Sequence, residues 1–193
     1  GLKLAPTNLD IRNTAGSALD QILIGNVYEG IVARDSKNQV APAIASSWET
    51  SKDGLTYTFH LNKNMTFSNG DKLDAEDVAW SINELIAKGY HDADALAAVS
   101  KVEAKDADTA VITLKTSNSN LLWTLTGRAG LVFDKDAKYD LKTQAVGSGP
   151  YTVAKFVENS SITLKANEKY WGKNKAKTPT VVVKYLADDN AAV

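Results

Sequence analysis

The feature that most constrains this chain is a change of hydrophobic period. Leu55, Tyr57, Phe59 and Leu61 alternate with Thr56, Thr58, His60 and Asn62. A period of two belongs to a strand with one row in a core and the other in water. Further on, Val78, Ile82, Leu85 and Ile86 share one face of a 3.6-residue repeat. Neither an all-helical bundle nor a pure sandwich accommodates both, so the fold class is mixed α/β (α+β). Local punctuation agrees with this. Asp53-Gly54 is a hairpin signal just before the strand. Asp74, with Asp77 three residues on, predicts a helix N-cap close to a capping box, and Gly89 predicts the end of that helix.

The same reading gives the other elements. Ser17 predicts the cap of a helix running to about Glu29, with Gly30 past its end and Asn26 facing a polar neighbour. Strands are expected at 99–104 and 109–115, a short helix near 120–126, and a hairpin from 151–157 and 161–166. Gly147-Ser148-Gly149-Pro150 reads as a flexible joint that uses the freedom of glycine in φ. Residues 2–5 suggest a short strand. Residues 180–186 are a β-branched run, which predicts a strand buried on both faces. Asp188-Asp189-Asn190 followed by alanines predicts a helix start, and with it the expectation that the chain is a piece of a longer one. Gly1 reads as a residue left by tag removal, so a leader is expected to have been removed.

Composition narrows the function. The net charge is −1, which supplies no electrostatic footprint for nucleic acid or an anionic membrane. There is no cysteine, which excludes disulfides, thiolate chemistry and Cys-based zinc sites. No apolar run reaches the roughly 18 residues that span a bilayer.

Searching for chemistry turns up little. His60 and His91 are the two histidines, and neither has metal-ligand spacing, so no metal or cofactor is expected. Gly147-Ser148-Gly149 is followed by proline and a strand, which is no nucleophile elbow. Asp71, Asp74, Glu76 and Asp77 lack calcium-loop spacing and are explained by helix capping. Trp48, Trp80, Trp123 and Trp171 are expected in the core, since each buries a large apolar area. From the residues alone the chain is a mixed α/β domain without catalytic machinery.

Motif order carries the reading further. Asn8-Leu9-Asp10 is followed by Val27-Tyr28-Glu29-Gly30-Ile31-Val32, then by Pro42-Ala43-Ile44-Ala45-Ser46-Ser47-Trp48. Asp53-Gly54-Leu55-Thr56-Tyr57-Thr58-Phe59, Phe67-Ser68-Asn69-Gly70-Asp71 and Asp74-Ala75-Glu76-Asp77-Val78 come next. Gly147-Ser148-Gly149-Pro150-Tyr151 and Tyr170-Trp171-Gly172 complete the series. This succession resembles family 5 of the bacterial extracellular solute-binding proteins, the peptide- and nickel-binding receptors of ABC importers. Ile11 stands where many members have proline.

The resemblance implies the N-terminal part of a two-lobed, periplasmic-binding-protein-like fold. Residues 1–28 and 134–193 would form the incomplete first lobe, and 29–133 an inserted β-rich domain. The implied function is a receptor, not an enzyme, that captures a peptide or related small solute and hands it to the ABC permease. A sensor or structural use of the fold and, further off, a hydrolase are the alternatives. The implied location is extracytoplasmic, lipid-anchored at the surface or free in a periplasm, and the full-length protein is expected to be monomeric. By position, Ala15, Gly16 and Ser17 match one ligand-bordering segment. Gly127, Arg128 and Ala129 match a second, with Arg128 expected to pair with a ligand carboxylate. Tyr90 is a third candidate.

Overall fold

The computed structural model describes residues 6–185. The strand expected at 2–5, Leu186 and the helix expected from Asp188 lie outside the described residues.

Helix α1 covers Ser17–Leu23, well short of Glu29. Gly25 adopts φ 75°, and the Asn26 side-chain amide donates to the Ile22 carbonyl at 3.0 Å. The stop is therefore a left-handed glycine sealed by Asn26, and Gly30 has a different role. The expected Ser17 cap is also absent: Ser17 is the first helical residue, and Gly16 precedes it with no side chain capping the helix.

A small antiparallel pair follows, β1 (Val32–Arg34) and β2 (Val40–Pro42). Strands β3 (Ala45–Thr50) and β4 (Thr56–Leu61) then form the hairpin that Asp53-Gly54 signalled. Tyr57, Phe59 and Leu61 are buried on one face, as the alternation requires. Helix α2 (Ala75–Lys88) opens on a complete capping box. Asp74 Oδ1 accepts from Glu76 N at 2.9 Å, and Asp77 Oδ2 accepts from Asp74 N at 3.0 Å. Gly89 closes the helix at φ 62°. Val78, Ile82 and Leu85 are buried, whereas Ile86 lies at the edge of the stripe and is exposed. Strands β5 (Val99–Asp106) and β6 (Thr109–Leu114) complete a four-stranded antiparallel sheet in the order β3-β4-β6-β5. The one-turn α3 (Leu121–Thr124) and a 3-10 turn at Arg128–Gly130 lead back out of this unit.

Strands β7 (Tyr151–Val157), β8 (Ser161–Ala166) and β9 (Thr180–Lys184) form a three-stranded antiparallel sheet in sequence order. Strand β9 departs from expectation. It alternates exposed and half-buried residues, and Val182 is 51% exposed. Among the described residues it pairs with β8 alone, so it is an edge strand with one covered face and not a doubly buried one.

Two hydrophobic cores result. One gathers Phe59, Ile82, Ile112, Leu121 and Val132 with their neighbours between 31 and 132. The other gathers Leu9, Leu19, Leu23 and Tyr28 with Phe133, Ile162 and Leu164. The chain passes between them twice, and the two passes pair. Ile31 N donates to Gly130 O at 2.9 Å and Val132 N to Glu29 O at 3.0 Å.

Glycine recurs at this crossing because backbones touch there. A Cβ on Gly130 would lie 1.9 Å from the Leu125 carbonyl oxygen. One on Gly147 would lie 2.0 Å from Val27 O, and one on Gly149 2.3 Å from Asn26 O. Neither Gly147 nor Gly149 has a positive φ. The Gly147–Gly149 segment is thus a close-packed seam, not the flexible joint expected, and is tied by Gly149 N to Val27 O at 3.0 Å and Tyr151 N to Asn26 O at 2.8 Å.

The tryptophans also depart from expectation, since none is fully buried. Trp48 and Trp171 are half-buried against the first core and Trp80 against the second. Trp123 is 39% exposed, with the Arg34 guanidinium 4.2 Å from its ring centroid.

Candidate functional site

An open cleft of about 1030 Å³ runs along the double crossing. One wall comes from α1 and the turn after it, with Asp20, Gln21, Ile24 and Gly25. The floor is the crossing strand itself, Glu29 and Gly30 continuing into β1. Asn62, Lys63, Asp92 and 126–128 complete the lining together with the loop 170–174.

Glu29 is the most unusual group in it. The residue is 9% exposed, and its carboxylate accepts from three neutral donors. Tyr170 Oη donates at 2.5 Å to Oε1, while Ser148 Oγ at 3.0 Å and Trp171 Nε1 at 3.1 Å donate to Oε2. Burial pushes the carboxyl above its ordinary range, partly opposed by these hydrogen bonds. Burial also raises the Tyr170 phenol, and the neighbouring carboxylate raises it further. Glu29 ties the crossing strand to the loop that walls the cleft. The sequence held a signal for it, an acidic residue inside Val27-Tyr28-Glu29-Gly30-Ile31-Val32, because a carboxylate within an apolar run needs buried donors.

Arg128 lies in the cleft wall, 8% exposed, and its donors are turned to the protein. Nε donates to Asp20 Oδ1 at 2.5 Å. Nη1 donates to the carbonyls of Ile11 at 2.8 Å and Thr14 at 2.6 Å, and Nη2 to that of Gly16 at 2.8 Å. Four of five N–H groups are thereby engaged. The guanidinium folds the loop 11–16 around itself and brings the two expected segments together. Gly127 lines the cleft beside it. Ala129 is buried at 1% and is not part of the lining. Ala15, Gly16 and Ser17 are exposed and lie just outside the lining; Gly16 supplies one of the guanidinium's carbonyl partners, and Ala15 and Ser17 flank it. Tyr90 is half-buried, against Arg12, and also stands off the lining.

The polar groups with capacity to spare are others. Among the described residues the side chains of Gln21, Asp92 and Lys173 make no hydrogen bond within the protein, and Arg34 makes one long contact, to Thr126 Oγ1 at 3.5 Å. These positions were not legible in sequence, because each is a surface residue until the chain folds. Asn62 donates to the carbonyls of Ala43 and Ile44 and is engaged in shape, not reception. No three His, Asp or Glu side chains among the described residues are grouped to hold a metal ion. No described helix is long and apolar enough to cross a membrane.

The chain is mixed α/β, with two cores and an open cleft lined by ionic groups of both signs. The model of the bacterial extracellular solute-binding proteins, family 5 (Middle), matches residues 39–193, and the chain belongs to that family. It is 26% identical over 190 residues to the dipeptide-binding protein DppE of Bacillus subtilis, covering 86% of this chain and 35% of that protein. It is 54% identical over 57 residues, 30% of this chain and 10% of the relative, to a dipeptide-binding protein of Lactococcus lactis. Among solved structures, MoaA of A. tumefaciens R10, in complex with mannopinic acid, superposes with a TM-score of 0.88 at 27% identity. That match covers 97% of this chain and 40% of the other. The fold is thus part of the periplasmic-binding-protein-like architecture, and the chain spans about a third of the length of DppE.

Proposed function

We propose that this chain belongs to a receptor of an ABC importer, one that captures a peptide or related small solute outside the cell membrane and delivers it to the permease. The observation that carries the reading is the cleft's mixed charge. Arg34 and Lys173 offer cations, and Asp92 offers a free carboxylate, within one recess. A zwitterion such as a short peptide presents the complementary pair, and enclosure from water strengthens such contacts. Gly127 and Arg128 line the recess, Ala15, Gly16, Ser17 and Ala129 border it beside Arg128, and Tyr90 stands further off against Arg12. The chain divides into a first-lobe unit, 1–28 with 134–193, and an inserted β-rich unit, 29–133, packed on it. Binding is the activity; the protein carries out no chemistry on its solute. Its place is extracytoplasmic, at the surface through a lipid anchor or free in a periplasm.

Titration calorimetry with dipeptides, an opine and a nickel–histidine complex tests this. One class is expected to bind saturably, and Arg34→Ala to weaken it by about tenfold or more. Absence of binding by all three classes would overturn the proposal.

A further inference from the structure

A second cavity lies apart from the cleft and shares no lining residue with it. It holds about 290 Å³ and is lined by Arg12, Trp80, Phe133, Ala137, Lys138 and Leu141, with Tyr139 and the Asp134 carboxylate also in its wall. Arg12 stands in it in an unusual state. Its guanidinium carbon is 4.9 Å from the Tyr90 ring centroid and 5.0 Å from that of Phe133, so the cation is held between two aromatic rings. Such faces favour a cation but supply no strong hydrogen-bond acceptor. The buried Nε has no hydrogen-bond partner, and among the described residues no carboxylate forms an ion pair with Arg12.

The nearest candidates are engaged elsewhere. Asp10 accepts from the Arg12 backbone N–H and from the Asn13 amide. Asp134 accepts from Asn69 and from the backbone of Asp136 and Ala137. Arginine keeps its charge at ordinary pH, and among the described residues the Arg12 side chain donates no hydrogen bond, so its Nη groups are the ones left for an acceptor from outside.

We infer that this cavity is a second binding site, for a small organic carboxylate with an apolar or aromatic body. A guanidinium offers paired N–H groups to a carboxylate, and Lys138 adds a second cation. Trp80, Phe133 and Leu141 take the apolar body, and the volume sits at the small end of ligand pockets. Inorganic phosphate satisfies the cation but leaves those walls in contact with water.

Benzoate is the probe. Calorimetry is expected to show saturable binding, with a change in tryptophan fluorescence. Trp80→Phe should remove most of that fluorescence change and weaken binding by about threefold, since the smaller ring takes less of the apolar body. Arg12→Met should weaken benzoate by about tenfold or more, and Arg12→Lys by less. Should Arg12→Met fold poorly, Ala137→Phe fills the cavity with Arg12 intact and must also abolish binding. No saturation below about 10 mM, unchanged affinity in a folded Arg12→Met or Ala137→Phe protein, or phosphate binding as tightly as benzoate would each overturn the site.

Discussion

Helix α2 and the double crossing around Glu29 are held together in opposite ways. The cap, stripe and stop of α2 lie within one short stretch, from Asp74 to Gly89. The crossing draws Glu29, Gly130, Ser148, Tyr170 and Trp171 from distant parts of the chain. Local encoding spreads stability over many small contributions. Non-local encoding concentrates it in a few contacts that have no substitute. The difference teaches where the molecule is fragile, and it can be tested by substitution.

The largest effect is expected at the glycine seam. Gly130→Ala and Gly147→Ala place a methyl inside a carbonyl, so each should lose about 3 kcal/mol or fail to fold, as read by denaturant melts. Wild-type stability in either would show that the crossing yields, and would end the contrast with α2. Next comes Glu29→Ala, which leaves Ser148 Oγ and Tyr170 Oη without their acceptor while Trp171 Nε1 keeps the Ser148 carbonyl, and should cost about 2–3 kcal/mol. A loss below that of the α2 cap would remove the distinction.

The α2 cap itself is smaller: Asp74→Ala should lose about 0.5–2 kcal/mol. Melts that superimpose on wild type would count against the box. Asp77 adds a pH signature. Its carboxyl is raised to about 6, chiefly by burial and then by the neighbouring Asp74 and Asp134, against the hydrogen bonds it accepts. A raised carboxyl binds its proton more tightly in the folded state. Its contribution is therefore full below about pH 4 and is lost as pH rises to about 6. Urea melts across that window should show stability declining with pH, and Asp77→Asn should flatten the slope. Glu29, raised by burial, acts in the same direction, so the slope left in Asp77→Asn should fall further when Glu29→Gln is added. Smallest is Trp123→Ala, expected below about 1 kcal/mol, since its ring is exposed and stacks only with Arg34. A larger loss would place this tryptophan in the fold and not at its surface.

Legibility follows the same division. The β4 row and the α2 box were readable because period and cap depend on neighbours a few residues away. The early end of α1 was not, since Asn26 fell on the face of the expected longer helix and Gly25 carried no mark until the backbone turns at φ 75°. Gly147 and Gly149 were recognised as special for the wrong reason. Close approach to Val27 and Asn26 is invisible without the fold, whereas freedom in φ is the ordinary meaning of glycine. Arg128 and Gly127 were found by resemblance to a motif order. Nothing in the sequence said that Asp20 and three carbonyls would surround Arg128. Gln21, Arg34, Asp92 and Lys173, which line the cleft, carry no local mark, because nothing in their neighbouring residues sets them apart from other surface residues.

The measurement that bears most directly on the cleft is native mass spectrometry of the protein released gently from cells. A solute held by the recess should appear as one added mass per chain, and Arg34→Ala should strip it while the protein remains folded. An added mass that persists unchanged in Arg34→Ala would place the solute elsewhere and contradict the account.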